Sequence, residues 1–254
     1  MYEPHEFFKA PAEGEALWRY MDFTKFVSML ASKSLYFTRP DKYSDVFEGC
    51  YPKKNIKASE QGLRELLSNK NFCADLDVER LVRDLKPNSN HGKITTGINC
   101  WHKNKYESAA MWNLYLKTNE GISVKSTFSR LSSSFHQATD RIHIGEVNYI
   151  DYDEHHIDAG NIFSPFLHKR ISFEHEKEVR AIVWRPQAMT FENGVIGSTI
   201  SHGVSIDCDL SLLIEEVYVA PTSQPWFREL VSSILLKYEV NVPVRQSSLD
   251  EAPY

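Results

Sequence analysis

The segment FEHEKEVRAIVW occupies residues 173–184 and carries the pattern from which a buried strand is predicted. In an extended strand successive side chains point to opposite faces, so residues two apart share a face. Val179, Ala181 and Val183 form an apolar face that we expect to enter the core. The pattern therefore predicts a strand over residues 178–184 with one buried face.

The opposite face of this segment is charged at its beginning and apolar at its end. The extended pattern places Glu176, Glu178 and Arg180 together, followed on the same face by Ile182 and Trp184. A face that changes from charged to apolar in this way is typical of the rim of a pocket. Two interpretations stay open: the carboxylates belong to a functional site, or Glu178 and Arg180 form a half-buried ion pair that ties neighbouring strands together.

Shorter patterns on both sides of this segment predict a sheet with interspersed helices. Apolar residues at helical spacing follow Asp22, a residue type that caps helix N-termini. Further helices are predicted over residues 107–116 and 227–238, and Ser164-Pro165 is a favourable helix start. Other strands are predicted at residues 17–20, 35–38, 94–101, 121–126, 142–150, 204–208, 216–220 and 242–245. Because strands and helices do not alternate regularly, about seven to nine strands indicate an α+β fold with a mixed, mostly antiparallel sheet and flanking helices.

The chain is expected to form a single domain over residues 1–254, since a chain of this length can bury a large core. Residues 1–15 are polar and contain turn-forming residues, which predicts a loose N-terminal lead-in. Residues 51–91 are predicted to be a helical insertion, in which Leu63 and Leu67 mark one helix and residues 78–85 a second. This insertion is the best candidate for a variable cap over a site.

Composition excludes several classes of protein. The formal net charge is −5, so the broad basic surface of a general nucleic-acid binder is not expected. A local basic site at Lys53-Lys54 or at His168-Lys169-Arg170 stays open, and nucleic acid is left as an uncertain partner. The N-terminal residues lack the features of a secretory signal, and no run of about 20 apolar residues is present. We therefore expect a cytoplasmic protein with no membrane partner.

The residues that usually mark metal, redox or phosphate chemistry form no familiar motif. The four cysteines are widely spaced and are predicted to be reduced thiols. Acidic and histidine residues between Asp151 and Asp158 have the types of metal ligands, but their spacing favours a solvated acidic loop, so no metal is expected. Cys100 and His102 lack the third group that would orient a nucleophile pair. The motifs of phosphate-binding loops, serine hydrolases and zinc proteases are absent.

Two other segments carry groups that suit a planar, charged ligand. The strand at residues 17–20 places Arg19 beside Tyr20, and because adjacent side chains point to opposite faces, only one of them is expected to enter a given site. On the helix at residues 107–116, Trp112 could stack on a planar ligand while Ser108, one turn earlier, hydrogen-bonds to it. Tyr115 lies on another face of this helix. The alternatives are that Tyr20 and Trp112 pack in the core and that Arg19 is exposed.

Four blocks of the sequence together resemble the bacterial family called domain of unknown function 2971. They are residues 17–49, residues 111–124, residues 176–180, and residues 216–221 with the helix that follows. The family usually has Asn-Asp-Pro-Phe-Glu near the end of the first block. Asp45, Phe47 and Glu48 match that pattern, while Ser44 and Val46 depart from it. The blocks span nearly the whole chain in order.

More distantly, the order of these elements resembles the plan of ADP-ribosyltransferases, particularly the toxins that modify DNA and RNA. The resemblance implies NAD as co-substrate and a late catalytic glutamate, which by order is Glu178 assisted by Glu176. It also implies a role in a bacterial toxin or phage-defence system. The ligand-binding residues that it implies are Arg19, Tyr20, Ser108, Trp112, Tyr115 and Arg180, with Asp45, Phe47, Glu48, Trp101 and Arg170 as further pocket candidates.

The chemistry of that reaction suits these residue types. Breaking a glycosidic bond develops positive charge on the sugar, and a fixed carboxylate stabilises that charge more than it stabilises the ground state. Two functions of different class therefore stay open. One is an NAD-consuming, ADP-ribosyltransferase-like enzyme with an unknown macromolecular acceptor. The other is a non-enzymatic sensor that uses the same pocket for a small nucleotide ligand or a partner protein.

Overall fold

The computed structural model describes residues 1–68, 91–116, 119–192 and 195–250. It has the expected α+β architecture, in which helices flank a mostly antiparallel sheet. The strands of the described residues are β1 (Ala16–Asp22), β2 (Ser34–Thr38), β3 (Thr96–Lys103), β4 (Gly121–Thr127), β5 (Ile142–Glu146), β6 (Asn148–Ile150), β7 (His168–Arg170), β8 (Glu178–Trp184), β9 (Met189–Glu192), β10 (Val195–Ser198), β11 (Gly203–Asp207), β12 (Glu216–Val219) and β13 (Val244–Gln246). The helices are α1 (Phe23–Ser32), α2 (Lys53–Ser68), α3 (His91–Thr95), α4 (Ala109–Tyr115), α5 (Phe128–Ser134), α6 (Leu210–Leu213) and α7 (Pro225–Lys237).

The strand predicted from residues 178–184, β8, lies inside the main sheet between β3 and β5. In the described part of the chain this sheet has nine strands, with the order β11-β2-β3-β1-β4-β12-β13 and with β8 and β5 joined to it through β3. Its pairings are antiparallel except for the parallel pair β12–β13. The single strand predicted over residues 142–150 is divided into β5 and β6, and β7, β9 and β10 were not predicted, because strands of three or four residues carry little periodicity.

Side chains along β8 alternate as predicted. Val179, Ala181 and Val183 belong to the main apolar core, and Ile182 packs in a second cluster on the other face. The strand begins only at Glu178, because Ile171–Glu176 form a 3-10 segment and Lys177 adopts a left-handed φ of 41°. The prediction that Glu176 continues the extended strand is therefore wrong, and a turn carries its side chain instead.

The other helix and strand predictions are largely confirmed. Asp22 caps α1, since its carboxylate accepts a hydrogen bond from the Lys25 backbone N–H at 2.8 Å, and α4 and α7 occupy the expected segments. The helix start at Ser164-Pro165 leads only to a 3-10 turn, Ser164–Phe166, because the chain enters β7 at His168. Residues 94 and 95 were predicted as strand but belong to α3. None of the described helices has the length and apolar character needed to cross a membrane.

The N-terminal segment is tied to the sheet. Its fifteen residues contain turns and one isolated bridge, Tyr2 to Ile142. The Glu3 backbone N–H donates to the Ile142 carbonyl at 2.9 Å, and the Ile142 N–H donates to the Met1 carbonyl at 3.0 Å. Phe8 is buried in the second apolar cluster. The segment predicted as a loose lead-in therefore runs alongside β5.

The first part of the predicted insertion is the helix α2, and it packs against the acidic loop at residues 151–157. Lys53 and Lys54 form ion pairs with Asp153 and Glu154 at 3.2 and 3.0 Å. The Asn55 side chain donates to the Ile157 carbonyl at 2.7 Å. The second predicted helix, at residues 78–85, lies outside the described residues.

The main sheet has an opening along the edge of β3 that pairs with β1 and β2. β1 pairs with β3 at Leu17↔Lys103 and Trp18↔His102, while β2 pairs with β3 at Thr38↔Ile98. Between these points, residues 99–101, all of which the structure describes, form no ladder with β1 or β2. Because β1 keeps its register with β4 along its whole length, the two halves of the sheet diverge here. The divergence places a cleft between β1 and β2.

Candidate functional site

A cleft of about 740 Å³ occupies the opening between β1 and β2. Small-molecule sites typically have volumes of about 300–1,000 Å³. Arg19 and Tyr20 of β1 line the cleft, as do Tyr115 at the end of α4 and the pair Glu176 and Glu178. The expectation that only one of the adjacent residues Arg19 and Tyr20 could enter the site is wrong, because the cleft runs along the open edge of a diverging strand and not over one sheet face.

The two glutamates belong to a buried chain of ion pairs, in which Glu176 is at one end and Glu178 is in the middle. Lys169 Nζ lies 2.6 Å from Glu176 Oε2 and 3.0 Å from Glu178 Oε1. The other oxygen of Glu178 lies 2.6 Å from Arg180 Nε, and Arg180 contacts both oxygens of Glu48 at 2.6 and 2.9 Å. We call this set, in the order Glu176, Lys169, Glu178, Arg180 and Glu48, the carboxylate network. All five side chains are buried.

Charges in the carboxylate network do not balance. Three carboxylates face two cations, which leaves one excess negative charge when all five groups are ionised. Burial alone would raise the pKa of Glu178, but the charges of Arg180 and Lys169 outweigh it and hold that pKa well below its usual range. Burial and the neighbouring Glu178 raise the pKa of Glu176 to about 7. The excess charge is therefore balanced by a proton on Glu176 at lower pH, or by a positive group in the cleft.

The β1 wall of the cleft carries a cation without a carboxylate. Arg19 Nη1 donates to the Cys100 backbone carbonyl at 2.9 Å, and its guanidinium lies 5.9 Å from the centre of the Trp101 ring. Within the described ranges no ion pair joins Arg19 to an acidic side chain, and burial lowers its pKa. A partly buried guanidinium in this state favours an anion, and its planar donors match the oxygens of a phosphate.

Aromatic rings form the third part of the cleft lining. Tyr20 is buried, its hydroxyl accepts a hydrogen bond from the Ser108 backbone N–H at 2.8 Å, and its ring packs edge-on against Trp112 at 5.0 Å. Tyr115 lies nearly parallel to Tyr20 at 6.5 Å and is 41% exposed, which places it at the mouth. The two rings give one side of the cleft a surface suited to a planar group.

Ser108 and Trp112 support Tyr20 and do not line the cleft. The Ser108 hydroxyl caps α4 by accepting from the Met111 N–H. Trp112 is 2% exposed, and its Nε1–H donates to Glu107 at 2.9 Å. Trp112 therefore packs in the core and is not placed to stack on a ligand in the cleft.

Arg180 also lies outside the cleft lining. Its side chain is fully buried between Glu178 and Glu48, and its Nη1 donates to the Phe166 carbonyl at 2.7 Å. These contacts leave Arg180 no free face for a ligand. Its effect on the cleft is to hold the Glu178 carboxylate in place.

The remaining pocket candidates fall into two groups. Trp101 lines the cleft beneath Arg19. Asp45 and Arg170 form an ion pair at 2.7 Å, with the Arg170 guanidinium 4.4 Å from the centre of the Phe47 ring. Asp45 and Phe47 lie on the same loop as Glu48, and Arg170 ends β7 next to Lys169, so this group flanks the carboxylate network without lining the cleft.

Two residues of the site were not recognised in the sequence. Lys169, which joins the two glutamates, was visible only as part of a basic run. The signal that could have found it is the need of two buried carboxylates for a cation. His102 lines the cleft beside Glu178. Its neighbour Cys100 is a poor nucleophile, because burial raises the pKa of the thiol to about 12.

No group of three or more His, Cys, Asp or Glu side chains in the described residues is arranged to hold a metal ion. The acidic and histidine side chains from Asp151 to Asp158 either contact α2 or are exposed to solvent.

No family model and no curated protein matches the chain, so the resemblance to domain of unknown function 2971 is not confirmed. Among solved structures, the chain is similar to DarT of Thermus sp. 2.9 in complex with ADP-ribosylated single-stranded DNA. The identity is 10% and the TM-score 0.40, with 95% of this chain and 97% of that chain covered. DarT of Thermus sp. 2.9 in complex with NAD+ gives 9% identity and a TM-score of 0.40, with 96% and 100% covered. Similarity at this level does not indicate an activity or a ligand for this chain.

Proposed function

We propose that this protein is an NAD-consuming, ADP-ribosyltransferase-like enzyme whose reaction takes place in the cleft between β1 and β2. One observation carries the proposal: one wall of the cleft has a guanidinium with no acidic partner among the described residues, and the other wall has a carboxylate network with one excess negative charge. NAD has the complementary charges, a pyrophosphate at its centre and a positively charged nicotinamide ring at one end. Opposite charges placed in one cleft favour a ligand that carries both.

Glu178 has the properties that the chemical step requires. When the bond between nicotinamide and ribose breaks, nicotinamide leaves with the bonding electrons and positive charge develops on the ribose. The pKa of Glu178 is held low by Arg180 and Lys169 against the effect of burial, so its carboxylate stays ionised at neutral pH. A fixed negative group in a site of low polarity stabilises such a charge in the transition state. Glu176, joined to it through Lys169, assists by adding a second carboxylate.

The remaining lining residues have binding roles in this proposal. Arg19 contacts the pyrophosphate, because its donors have no acidic partner in the described residues. Tyr20 and Tyr115 form the surface of the cleft against which the nicotinamide ring packs. Ser108, Trp112 and Arg180 act only through these residues, since they hold Tyr20 and Glu178 in place. The acceptor of the ADP-ribose group is left open.

The experiment that tests the proposal measures NAD binding and nicotinamide release by the purified chain. Saturation at 100 times the dissociation constant is expected to stabilise the fold by about 2.7 kcal/mol, which a thermal melt detects. Nicotinamide release is expected to fall about 100-fold to 1,000-fold in Glu178→Gln, the loss typical of removing one charge-stabilising group. Glu215→Gln is the matched control, since Glu215 also pairs with a lysine but lies outside the cleft. An unshifted melt with NAD would contradict the proposal.

A second function, a sensor that binds a nucleotide without turnover, is favoured by a specific observation. Both oxygens of Glu178 are already engaged by cations, which is typical of structural ion pairs as well. A sensor would bind NAD with no release of nicotinamide, and Glu178→Gln would keep its affinity. The same two measurements therefore separate the two functions.

A further inference from the structure

His102 forms the part of the cleft wall that joins the aromatic rings to the glutamates. On β3 it pairs with Trp18 of β1 on one side and with Glu178 of β8 on the other. Its side chain is 3% exposed and lines the cleft, and its ring lies 6.3 Å from that of Tyr20. A group bound against His102 is therefore close to both walls.

The contacts of the His102 ring determine its tautomer. Nδ1 lies 2.6 Å from the backbone carbonyl oxygen of Glu176, and because a carbonyl can only accept, Nδ1 carries the hydrogen. Burial lowers the pKa of His102, which keeps the ring neutral at physiological pH. A neutral ring protonated at Nδ1 has a lone pair at Nε2.

His102 Nε2 is buried and has no hydrogen-bond partner in the part of the chain that the structure describes. Native proteins rarely leave a buried acceptor without a donor, because it loses its bonds to water and gains none in return. The same ring is tied through Nδ1 to the turn that carries Glu176. An N–H group that reaches Nε2 is thus held at a defined position relative to both carboxylates.

We propose that His102 Nε2 accepts a hydrogen bond from the carboxamide N–H of nicotinamide and so selects a dinucleotide with an amide over one with an acid. The inference rests on the proposed function, since it takes NAD as the occupant of the cleft. Tyr20 and Tyr115 offer a surface for the planar ring on one side of His102, and Glu176 and Glu178 face the ribose on the other. A carboxylate in place of the amide brings lone pairs towards Nε2 and negative charge towards the glutamates.

The test compares the affinities of the full chain for NAD and for nicotinic acid adenine dinucleotide, measured by calorimetry. The wild-type protein is expected to prefer NAD by about tenfold or more, the effect of one hydrogen bond to a buried acceptor. His102→Asn keeps an N–H near the position of Nδ1 and removes the acceptor at Nε2, so the preference is expected to disappear. His102→Gln places an amide oxygen near the position of Nε2 and is expected to restore part of it.

His136→Asn is the matched control, because His136 Nδ1 also contacts a backbone carbonyl, that of Ser133 at 3.3 Å, but is exposed and outside the cleft. It should bind both dinucleotides as the wild type does. Equal affinities in the wild type, or a preference that survives in His102→Asn, overturn the role of His102 while NAD binding still supports the proposed function. If neither dinucleotide binds the wild type, the proposed function fails and the inference with it. If His102→Asn does not fold, the wild-type preference and its value in His102→Gln decide.

Discussion

Arg19 and Arg180 were both implied as ligand-binding residues, and the structure leaves them in opposite states. Arg180 is fully buried and bonds to two glutamates and a backbone carbonyl. Arg19 is partly buried, and in the described residues its guanidinium donates only to a backbone carbonyl. The difference follows from their strands. β8 is paired along both edges, so a charge within it needs protein partners, whereas β1 leaves β3 at the open edge of the sheet.

An arginine on a strand therefore indicates a ligand site only when no acidic side chain of the protein pairs with it. A buried cation between two carboxylates stabilises the fold. Removing the cation lowers the free energy of unfolding, because the carboxylates stay buried without a positive partner. A cation without such partners contributes little to the fold and is available to an anion. Variants of the two arginines and of Glu176 in the carboxylate network are therefore expected to differ in stability, in ligand affinity and in their dependence on pH.

The largest effect is expected from substituting each arginine with methionine and measuring the free energy of unfolding in urea. Arg180→Met leaves Glu48 and Glu178 buried without their cation, which typically costs about 3–5 kcal/mol. Arg19→Met removes one hydrogen bond to a carbonyl and relieves a buried charge, so a change below about 1 kcal/mol is expected. Equal losses of stability in the two variants would show that Arg19 is as much a scaffold residue as Arg180.

The next effect concerns ligand affinity. Arg19→Met is expected to weaken NAD binding about tenfold to 100-fold, the contribution of a hydrogen bond to a charged group, measured by calorimetry on a variant with an unchanged melting temperature. Arg130→Met is the matched control, because Arg130 also donates to a backbone carbonyl at 2.9 Å but is far from the cleft lining. If both variants bind NAD like the wild type, Arg19 has no role in holding the pyrophosphate.

The smallest effect is a pH dependence that arises from Glu176. Its folded pKa is raised to about 7, so below that pH a proton neutralises the excess charge and above it the carboxylate network is negative. NAD affinity is therefore expected to increase several-fold from pH 6 to pH 8, because a negative network attracts the nicotinamide cation. In Glu176→Gln this increase should be lost.

The same titration has the opposite sign for the stability of the free protein. Because the folded pKa lies above the unfolded value, the contribution of Glu176 to stability is present at low pH and is lost as the pH rises through about 7. The melting temperature without ligand should therefore fall more between pH 5 and pH 7 in the wild type than in Glu176→Gln, because the pKa lies near 4.5 in the unfolded chain and near 7 in the folded one. Parallel curves for the two proteins would show that the proton taken up in this range is not on Glu176.

Much of the fold followed from local patterns. The alternation in residues 178–184 predicted a buried strand, and Asp22 with the apolar residues after it predicted α1, because these signals depend on neighbours in sequence. The turn at Glu176 was missed because the charged residues before Glu178 fit an extended pattern as well as a turn. Lys177 adopts a left-handed φ of 41°, and lysine is not one of the residue types that predict such a conformation.

The candidate site was predictable in part. Arg19, Tyr20, Tyr115, Glu176 and Glu178 were all named from the sequence and lie on one cleft. Ser108, Trp112 and Arg180 were named with them and lie behind it. Whether a polar or aromatic side chain faces a ligand or another side chain depends on contacts between residues far apart in the chain, such as Arg180 with Glu48. Sequence spacing does not contain that information.

The amino-acid pattern alone predicted an α+β fold around a buried strand with acidic and basic groups at its start. It did so because periodicity and charge act over a few residues. Which of those charges cancel became visible only in the folded chain, because cancellation depends on distances between residues on different strands. Lys169, Arg180 and Glu48 close around Glu178, while the divergence of β1 from β3 leaves Arg19 at the cleft without an acidic partner in the described residues.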